Sequence, residues 1–248
     1  MRIEGSVALV TGANRGIGRA ITEALLERGS TKVYAAARDP KTLETLRERH
    51  GSRLVPVRLD VTDAEQVAEA AHLAADVDLL VNNAGVFEPT DLTDEAIVDV
   101  ARREMEVNYF GVLRMVRSFA DTLARGGGAI VNVVSAAGLS NVPIQPTYSA
   151  SKAAQHSLTQ AARALLAARA VAVHGVYSGP VDTDMTKDLP TQFEKASAGD
   201  VAKAILDGVE SGEEDIFPDP FAAAFGAQFH SSPKNVERQM AAMVAIPA

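Results

Sequence analysis

Hydrophobic residues occur along the chain in short, nearly continuous runs that alternate with longer stretches of helical periodicity. The apolar runs predict seven β-strands, at residues 6–11, 32–37, 53–60, 77–83, 129–135, 171–177 and 214–217. The stretches between them predict helices at residues 18–28, 41–50, 64–75, 94–124, 147–169 and 199–211. Strands that are apolar on both faces and alternate with helices are typical of a parallel sheet covered on both sides. The pattern therefore predicts an α/β fold, a doubly wound, seven-stranded parallel sheet with helices on both faces.

Capping residues support two of the predicted helix boundaries. Gly29 follows the first helix, and Asp39 is expected to be an N-cap with Pro40 at the first helical position. Linkers, internal repeats and low-complexity tracts are missing from the sequence. We therefore expect residues 1–248 to form one domain with a C-terminal aromatic tail at residues 218–248.

The tail carries a regular aromatic pattern, in which Phe217, Phe221, Phe225 and Phe229 recur every four residues. On a helix this spacing builds one aromatic stripe. Packing onto the chain's own domain is the favoured interpretation, because such stripes usually belong to a core. A lid over a binding cleft and an arm that reaches a partner subunit are the alternatives.

The overall composition excludes several classes of function. The 248 residues carry a formal net charge of −8, which argues against a general affinity for nucleic acid or anionic membranes. The chain has no cysteines. Disulfides, thiolate metal sites and cysteine nucleophiles are therefore excluded. The five histidines are scattered without metal-ligand spacing, so no metal site is expected. No apolar run is long enough for a signal peptide or a spanning helix, and a cytoplasmic protein is expected.

A glycine-rich segment, VTGANRGIGRAI at residues 10–21, joins the first predicted strand to the first predicted helix. In a doubly wound sheet this connection is where a dinucleotide pyrophosphate binds. Gly12 allows a sharp turn, while Gly16 and Gly18 would let backbone amides approach phosphate oxygens. A tight connection with no ligand is the alternative interpretation of this loop.

A second segment, PTYSASKAAQ at residues 146–155, places Tyr148 and Lys152 four residues apart at the start of a helix. That spacing puts both side chains on one helix face. A nearby ammonium favours phenolate, so the pKa of Tyr148 is expected to lie below its ordinary value of about 10. Ser135 ends the preceding strand, at the sheet edge where ligands bind in this architecture.

Five signatures in this order resemble the short-chain dehydrogenase/reductase family. They are TGANRGIG, NNAG at residues 82–85, Asn108, Ser135 and YSASK at residues 148–152, and the resemblance covers residues 6 to 185. It implies a Rossmann-fold oxidoreductase of the compact, single-domain branch. The segment SGPVDT at residues 178–183 departs from the family pattern P-G-x-x-x-T, because Ser178 stands where the proline is usual.

The resemblance implies a role for each of four side chains. Tyr148 would be the general acid in reduction and the base in oxidation, and Lys152 would hold the nicotinamide ribose and lower the tyrosine pKa. Ser135 would bond the substrate oxygen as it gains negative charge, and Asn108 would fix a water that links Lys152 to solvent. The alternatives are that Ser135 caps a turn and that Asn108 satisfies backbone groups inside its helix.

The expected dinucleotide site combines the glycine loop with residues that the resemblance adds. Its members are Gly12, Asn14, Arg15, Gly16, Ile17, Gly18, Arg38, Asp60, Val61, Asn83, Ala84, Gly85, Tyr148, Lys152, Gly179, Val181 and Thr183. An acidic residue at the end of the second strand would bind the ribose hydroxyls of NAD, but that place is taken by Ala37. Arg38 and Arg15 could clamp a 2′-phosphate, which favours NADP(H) over NAD(H). The alternative is that Arg38 only lies over the adenine.

The sequence also leads to expectations about the substrate and about the oligomeric state. Leu139, Val142, Ile144, Met185 and Leu189 are expected to line an apolar pocket, without a basic clamp, beside the predicted catalytic residues. This lining favours a small, neutral, hydrophobic ketone or aldehyde. The resemblance implies a homodimer or homotetramer that pairs helices 102–124 and 147–169.

The predicted function is therefore an NADPH-dependent carbonyl reductase that also oxidises alcohols. An NAD-dependent alcohol dehydrogenase and a non-catalytic dinucleotide-binding sensor are the alternatives.

Overall fold

The computed structural model describes residues 1–187 and 194–242. Its centre is a sheet of seven parallel strands in the order β3-β2-β1-β4-β5-β6-β7. The strands are β1 (Val7–Thr11), β2 (Lys32–Ala37), β3 (Leu54–Arg58), β4 (Leu79–Asn82), β5 (Ala129–Val133), β6 (Ala172–Val176) and β7 (Asp215–Ile216). The helices are α1 (Gly16–Glu27), α2 (Glu44–His50), α3 (Ala64–Leu73), α4 (Ile97–Met105), α5 (Val112–Ala124), α6 (Pro146–Ala167), α7 (Ala198–Ser211), α8 (Pro220–Ser231) and α9 (Pro233–Ala242).

Each face of the sheet is covered by its own layer of helices. Alternate strand residues point to opposite faces, so Val10 packs in one cluster with α1, α2 and α7, while Leu9 packs in the other with α3, α5 and α6. Both clusters are built mainly from buried aliphatic side chains. The predicted parallel sheet, covered on both faces, is confirmed.

The order of the strands reverses between β1 and β4. From β1 the chain proceeds outward to β2 and β3, and it then returns to add β4 on the other side. In open parallel sheets this reversal leaves a crevice at the carboxyl ends of the two central strands. The fold therefore directs the glycine loop after β1 and the NNAG segment after β4 into one crevice.

Two of the predicted helices differ from the structure. The segment predicted as one helix at 94–124 is divided into α4 and α5 by a π-helical stretch, Glu106–Gly111. The segment predicted as a helix at 41–50 begins with a 3₁₀ turn, Pro40–Leu43, which is capped by Asp39 as expected.

Within the described residues, no helix is long and apolar enough to cross a membrane.

The aromatic tail packs largely against its own chain. Phe217 precedes α8 and stacks on the buried ring of Tyr177, with ring centroids 5.4 Å apart. Phe225 is buried in a cluster with Ala136 and two residues of α9. The favoured interpretation of the stripe, packing onto the same domain, agrees with these contacts, although Phe217 lies outside the helix.

Candidate functional site

A cavity of about 940 Å³ opens at the carboxyl ends of the central strands. Every residue predicted to bind the dinucleotide lines it except Gly18, and Ser135, Tyr148 and Lys152 lie in the same lining. The connections after β1, β2, β4, β5 and β6 all contribute to its wall. The structure thus brings three of the four predicted catalytic residues into one cleft with the residues predicted to bind the dinucleotide.

The glycine loop needs glycine for two different reasons. Gly12 and Gly16 have φ angles of +65° and +53°, in the left-handed region that favours glycine. A Cβ on Gly18 would lie 2.3 Å from both the Gly12 carbonyl oxygen and Asn83 Nδ2. Gly18 therefore permits close packing beneath the loop, and the approach of its backbone amide to a phosphate stays a prediction.

Hydrogen bonds join the glycine loop to the end of β4. Thr11 Oγ1 accepts from the backbone nitrogens of Asn83 and Ala84, both at 2.9 Å. Asn83 Nδ2 donates to the carbonyl oxygens of Thr11 and Gly12, at 2.9 and 3.2 Å. These bonds hold the two central connections together. Thr11 was not among the predicted site residues, although it is the first letter of the TGANRGIG motif.

The end of β2 presents a cation rather than an acid to the cleft. Arg38 lines the cavity after Ala37. Asp39 lines it too, but its Oδ1 accepts from Lys41 N at 3.0 Å and caps the following turn. Arg15, in the glycine loop, forms a solvent-exposed 3.4 Å ion pair with Asp184. An exposed ion pair of this kind is weak. Arg15 can therefore leave Asp184 and bind an anionic ligand instead.

Tyr148 and Lys152 face the cleft from the first turns of α6. Lys152 Nζ lies 5.7 Å from the centroid of the Tyr148 ring. It donates to the Val133 carbonyl oxygen at 3.0 Å and to Gln155 Oε1 at 2.8 Å, and only 4% of the residue is exposed. The spacing in the sequence did place both side chains on one face. Gln155 was not predicted, although it lies one turn beyond Lys152.

The expected lowering of the tyrosine pKa is wrong for the protein without dinucleotide. Burial raises the pKa of Tyr148 to about 12, the Ser135 hydroxyl beside it offsets part of that rise, and Glu104 adds to it. Burial also lowers the pKa of Lys152 to about 7. Desolvation is the largest cause at both groups, because burial removes the water that would stabilise the charged form of each.

Asn108 lies behind the cleft rather than in its wall. It belongs to the π-helical stretch and is fully buried. Its Oδ1 accepts from Val86 N, and its Nδ2 donates to the Val86 carbonyl oxygen and to Ser151 Oγ, each at 2.9 Å. The backbone that Asn108 satisfies thus belongs to the segment after β4, not to its own helix. That segment carries Phe87, whose ring packs edge-on against Tyr148 with centroids 5.5 Å apart.

The predicted substrate pocket is only partly correct. Met185 lines the cleft, whereas Leu139 and Val142 pack against the cluster formed with α8 and α9. The side chain of Ile144 is exposed, and Leu189 lies outside the described residues. The C-terminal helices, which are distant in sequence, draw the two aliphatic residues away from the cleft.

Charged residues make the cleft wall less apolar than predicted. Glu88, Arg103 and Glu106 all line the cavity. Arg103 binds both carboxylate oxygens of Glu88, at 2.9 and 2.5 Å. Arg103 therefore places a basic side chain at the cleft, where it is paired with the Glu88 carboxylate of the same wall.

The departure at Ser178 leaves the following backbone well supported. The Ser178 carbonyl oxygen accepts from Ala136 N at 3.0 Å, and Gly179 N donates to Asp219 Oδ2 at 2.8 Å. A Cβ on Gly179 would lie 2.5 Å from the Phe221 ring, so glycine is required by the close approach of α8. Val181 and Thr183 then reach the cleft wall as expected.

Known proteins resemble this chain over most of its length. A family model described as short chain dehydrogenase matches residues 6–194. A 3-oxoacyl-(acyl-carrier-protein) reductase of Vibrio harveyi is 34% identical over 209 residues, which cover 81% of this chain and 84% of that protein. A cis-4-hydroxycyclohexanecarboxylate dehydrogenase of Sinomonas cyclohexanicum is 37% identical over 199 residues, covering 77% and 80%.

Solved structures agree with the sequence matches. A short chain dehydrogenase of Burkholderia cenocepacia in complex with NADP has a TM-score of 0.91 and 40% identity, and the match covers 100% of both chains. A short chain dehydrogenase/reductase of Burkholderia phymatum in complex with NAD has a TM-score of 0.82 and 28% identity over 96% of each chain. With this sheet, this cleft and these relatives, the chain belongs to the short-chain dehydrogenase family and is an oxidoreductase.

Proposed function

We propose that the protein is an NADP(H)-dependent carbonyl reductase that converts a ketone or aldehyde into an alcohol and also catalyses the reverse reaction. The observation that carries the proposal is the convergence of Ser135, Tyr148 and Lys152 on the cleft that the glycine loop borders. A sensor needs the glycine loop alone. Catalysis of proton transfer needs a proton donor, and here a hydroxyl and a buried amine lie beside that donor.

The cleft fits a dinucleotide with a 2′-phosphate. Backbone amides at the start of α1 have no side-chain cap, which suits them to a pyrophosphate. At the end of β2, Arg38 supplies positive charge while the Asp39 carboxylate is engaged in capping. The NADP-bound relative at 40% identity supports the same choice. NAD(H) is the less favoured alternative, because the first residue after β2 is Arg38 and the acid that follows it, Asp39, caps the next turn through Oδ1.

The bound dinucleotide supplies a hydride. The chain supplies position and the proton. Tyr148 keeps its proton at neutral pH, since its pKa is raised to about 12, and can therefore act as the general acid in reduction. Ser135 would bond the same substrate oxygen and orient it. Lys152, whose pKa of about 7 lets it gain and lose a proton near neutrality, would return a proton to Tyr148. Asn108 would support this group through the Val86 segment.

The substrate class follows from the mixed character of the wall. Met185 and Val86 offer apolar contact, and the Arg103 guanidinium is already bound by Glu88. A neutral, hydrophobic carbonyl compound therefore fits better than a carboxylate. The two relatives described above are named for an acyl thioester and a ring carboxylate, so both chemistries belong in the test.

The decisive experiment measures NADPH consumption with a panel of ketones, aldehydes, 3-oxoacyl thioesters and oxocyclohexanecarboxylates. Tyr148→Phe removes the proton donor, and Tyr109→Phe, outside the cleft, is the matched control. Turnover that only Tyr148→Phe loses supports the reductase. NADPH binding without turnover across the panel supports the sensor instead, and turnover only on charged substrates contradicts the neutral class.

We also propose that the protein forms a homodimer or homotetramer through α5, α6 and the preceding π-helical stretch. Phe110, Leu113 and Leu165 lie on these elements with 41%, 36% and 75% of their surface exposed. Apolar side chains of this size are usual in contacts between subunits. Light scattering that gives the mass of a single chain contradicts this assembly. The cytoplasmic location remains a prediction from the sequence.

A further inference from the structure

Glu104 is a buried acid that the mechanism above does not use. It lies on α4 with 0% of its surface exposed. Its Oε1 accepts from the backbone nitrogen of Glu88 at 3.0 Å. A carboxyl group is rarely placed entirely out of water without a partner of opposite charge, because desolvation penalises its ionised form. Its position therefore calls for a functional explanation.

The segment that Glu104 holds is the one that packs against Tyr148. Asn108 fixes this segment at Val86, and Glu104 fixes it two residues later, at Glu88. Phe87 lies between the two anchors, with its ring edge-on to the Tyr148 ring. Glu104 precedes Asn108 by four residues, so the two anchors lie on the same side of the helix.

A second oxygen of the same carboxyl faces a hydroxyl group. Glu104 Oε2 and Thr147 Oγ1 are both buried, and neither has a well-formed hydrogen bond among the described residues. Thr147 lies beside the carboxyl and immediately precedes Tyr148. A hydroxyl can donate to an ionised carboxyl or accept from a protonated one. The Thr147 hydroxyl can therefore pair with Glu104 in either charge state.

The charges around Glu104 link its ionisation to that of Tyr148. Burial raises the pKa of Glu104, and the Glu88 carboxylate adds to the rise. The backbone N–H of Glu88, the Thr147 hydroxyl and the Arg103 guanidinium act in the opposite direction. Across the α4–α6 contact, the Glu104 carboxylate raises the pKa of Tyr148. In the described part of the chain, the titratable and hydrogen-bonding groups that face the Glu104 carboxyl are Glu88, Arg103, Tyr148 and Thr147.

We propose that Glu104 is a positioning residue for Tyr148, which it serves by anchoring the Val86–Glu88 segment and, when ionised, by placing a negative charge near the phenol. The inference rests on the acid–base role proposed above for Tyr148. An ionised Glu104 keeps the phenol of Tyr148 protonated up to a higher pH. A neutral Glu104 lets the phenolate form at a lower pH.

The test compares Glu104→Gln with the wild type. Glutamine keeps an acceptor for Glu88 N and a donor for Thr147, but it is neutral at every pH. Asp99→Asn is the matched control, because it removes one carboxylate from the exposed side of the same helix. The measurement is kcat/KM for alcohol oxidation as a function of pH, at saturating NADP⁺. We expect the rising limb of the Glu104→Gln profile to move to lower pH by about half a unit or more, since a nearby negative charge is removed. Asp99→Asn should follow the wild type.

A second variant separates anchoring from charge. Glu104→Leu releases the segment as well, and we expect kcat to fall at least about fivefold while KM for NADPH stays within about twofold, because the proton donor and not the cofactor site is displaced. Superimposed pH profiles of Glu104→Gln and an active wild type overturn the inference and leave the reductase intact. An inactive wild type overturns the reductase instead.

A spectroscopic measurement decides the inference even in that case. The chain has four tyrosines, so the ¹³Cζ signal of Tyr148 can be assigned by its loss in Tyr148→Phe. With NADP⁺ bound, we expect ionisation of Tyr148 to begin at lower pH in Glu104→Gln than in the wild type. The same onset in both proteins contradicts the proposed coupling.

Discussion

Replacing the buried amine of Lys152 by methionine is expected to stabilise the dinucleotide-free protein at neutral pH. Lys152 has a pKa of about 7 in the folded protein, against an ordinary value of 10.5. Methionine has nearly the same length and no charge, so it removes the cost of desolvating the ammonium. The change should abolish catalysis while it strengthens the fold, as is common for groups placed by function.

The size of the effect follows from the two pKa values and from the hydrogen bonds of Nζ. A fall in pKa from 10.5 to about 7 corresponds to about 4 to 5 kcal/mol of lost stability below pH 7, at roughly 1.4 kcal/mol per pKa unit. Methionine also leaves Gln155 Oε1 without its donor, which costs about 1 to 2 kcal/mol. Val133 O keeps a bond from Gln155 Nε2. The net gain at pH 7 is therefore about 3 kcal/mol.

The pH dependence gives the prediction its sign. Between pH 7 and 10.5 the unfolded chain binds more protons at this position than the folded one, so the free energy of unfolding rises with pH. At pH 9.5 the remaining penalty of about 1 to 2 kcal/mol is close to the cost of the lost hydrogen bond. The advantage of Lys152→Met should therefore vanish near that pH.

Urea unfolding of the dinucleotide-free protein at pH 7 and 9.5, at one protein concentration, is the assay. Lys203→Met, at an exposed lysine of α7, is the matched control and should leave the pH dependence of the wild type unchanged. A Lys152→Met protein that is less stable than the wild type at pH 7 would show that the amine is not held at a cost. So would a wild type whose stability does not rise with pH in this window.

Two further substitutions test the glycine loop and the cofactor preference. Gly18→Ala places a Cβ 2.3 Å from backbone and side-chain atoms, so we expect a loss of at least about 2 kcal/mol in thermal unfolding, whereas Gly126→Ala, with open space around it, should change stability little. An alanine at position 18 that is tolerated would mean that the loop is not packed as described. Arg38→Ala should weaken NADPH binding by about tenfold or more and leave NADH binding nearly unchanged, because one charge-assisted bond to the 2′-phosphate is lost. Calorimetric titration with both dinucleotides measures this, and equal weakening of both would favour the alternative in which Arg38 only covers the adenine.

Local patterns in the sequence were sufficient for the sheet and for most of the cleft. The apolar runs predicted all seven strands, because a strand buried on both faces needs a continuous run of hydrophobic residues. Most residues of the cleft wall could be predicted because they lie in the connections at the carboxyl ends of those strands, where the topology gathers them. The spacing of Tyr148 and Lys152 likewise follows from the geometry of one helix turn.

Contacts between distant segments decided the rest. Leu139 and Val142 turn away from the cleft because α8 and α9 pack over them. The helix predicted at 94–124 is interrupted around Asn108, whose side chain bonds to the Val86 backbone instead of facing solvent. A signal for Glu104 was present, since it precedes Asn108 by one helix turn, but its burial against α6 depends on the packing of two helices.

The pKa values of Tyr148 and Lys152 were also decided by contacts between distant segments. Sequence spacing set Lys152 beside Tyr148 and so predicted a lower tyrosine pKa, whereas the folded chain buries both groups and raises it. Spacing along a helix is a local property that the order of residues determines by itself. The loss of water around a side chain depends on every element packed against it, and only the tertiary structure decides that.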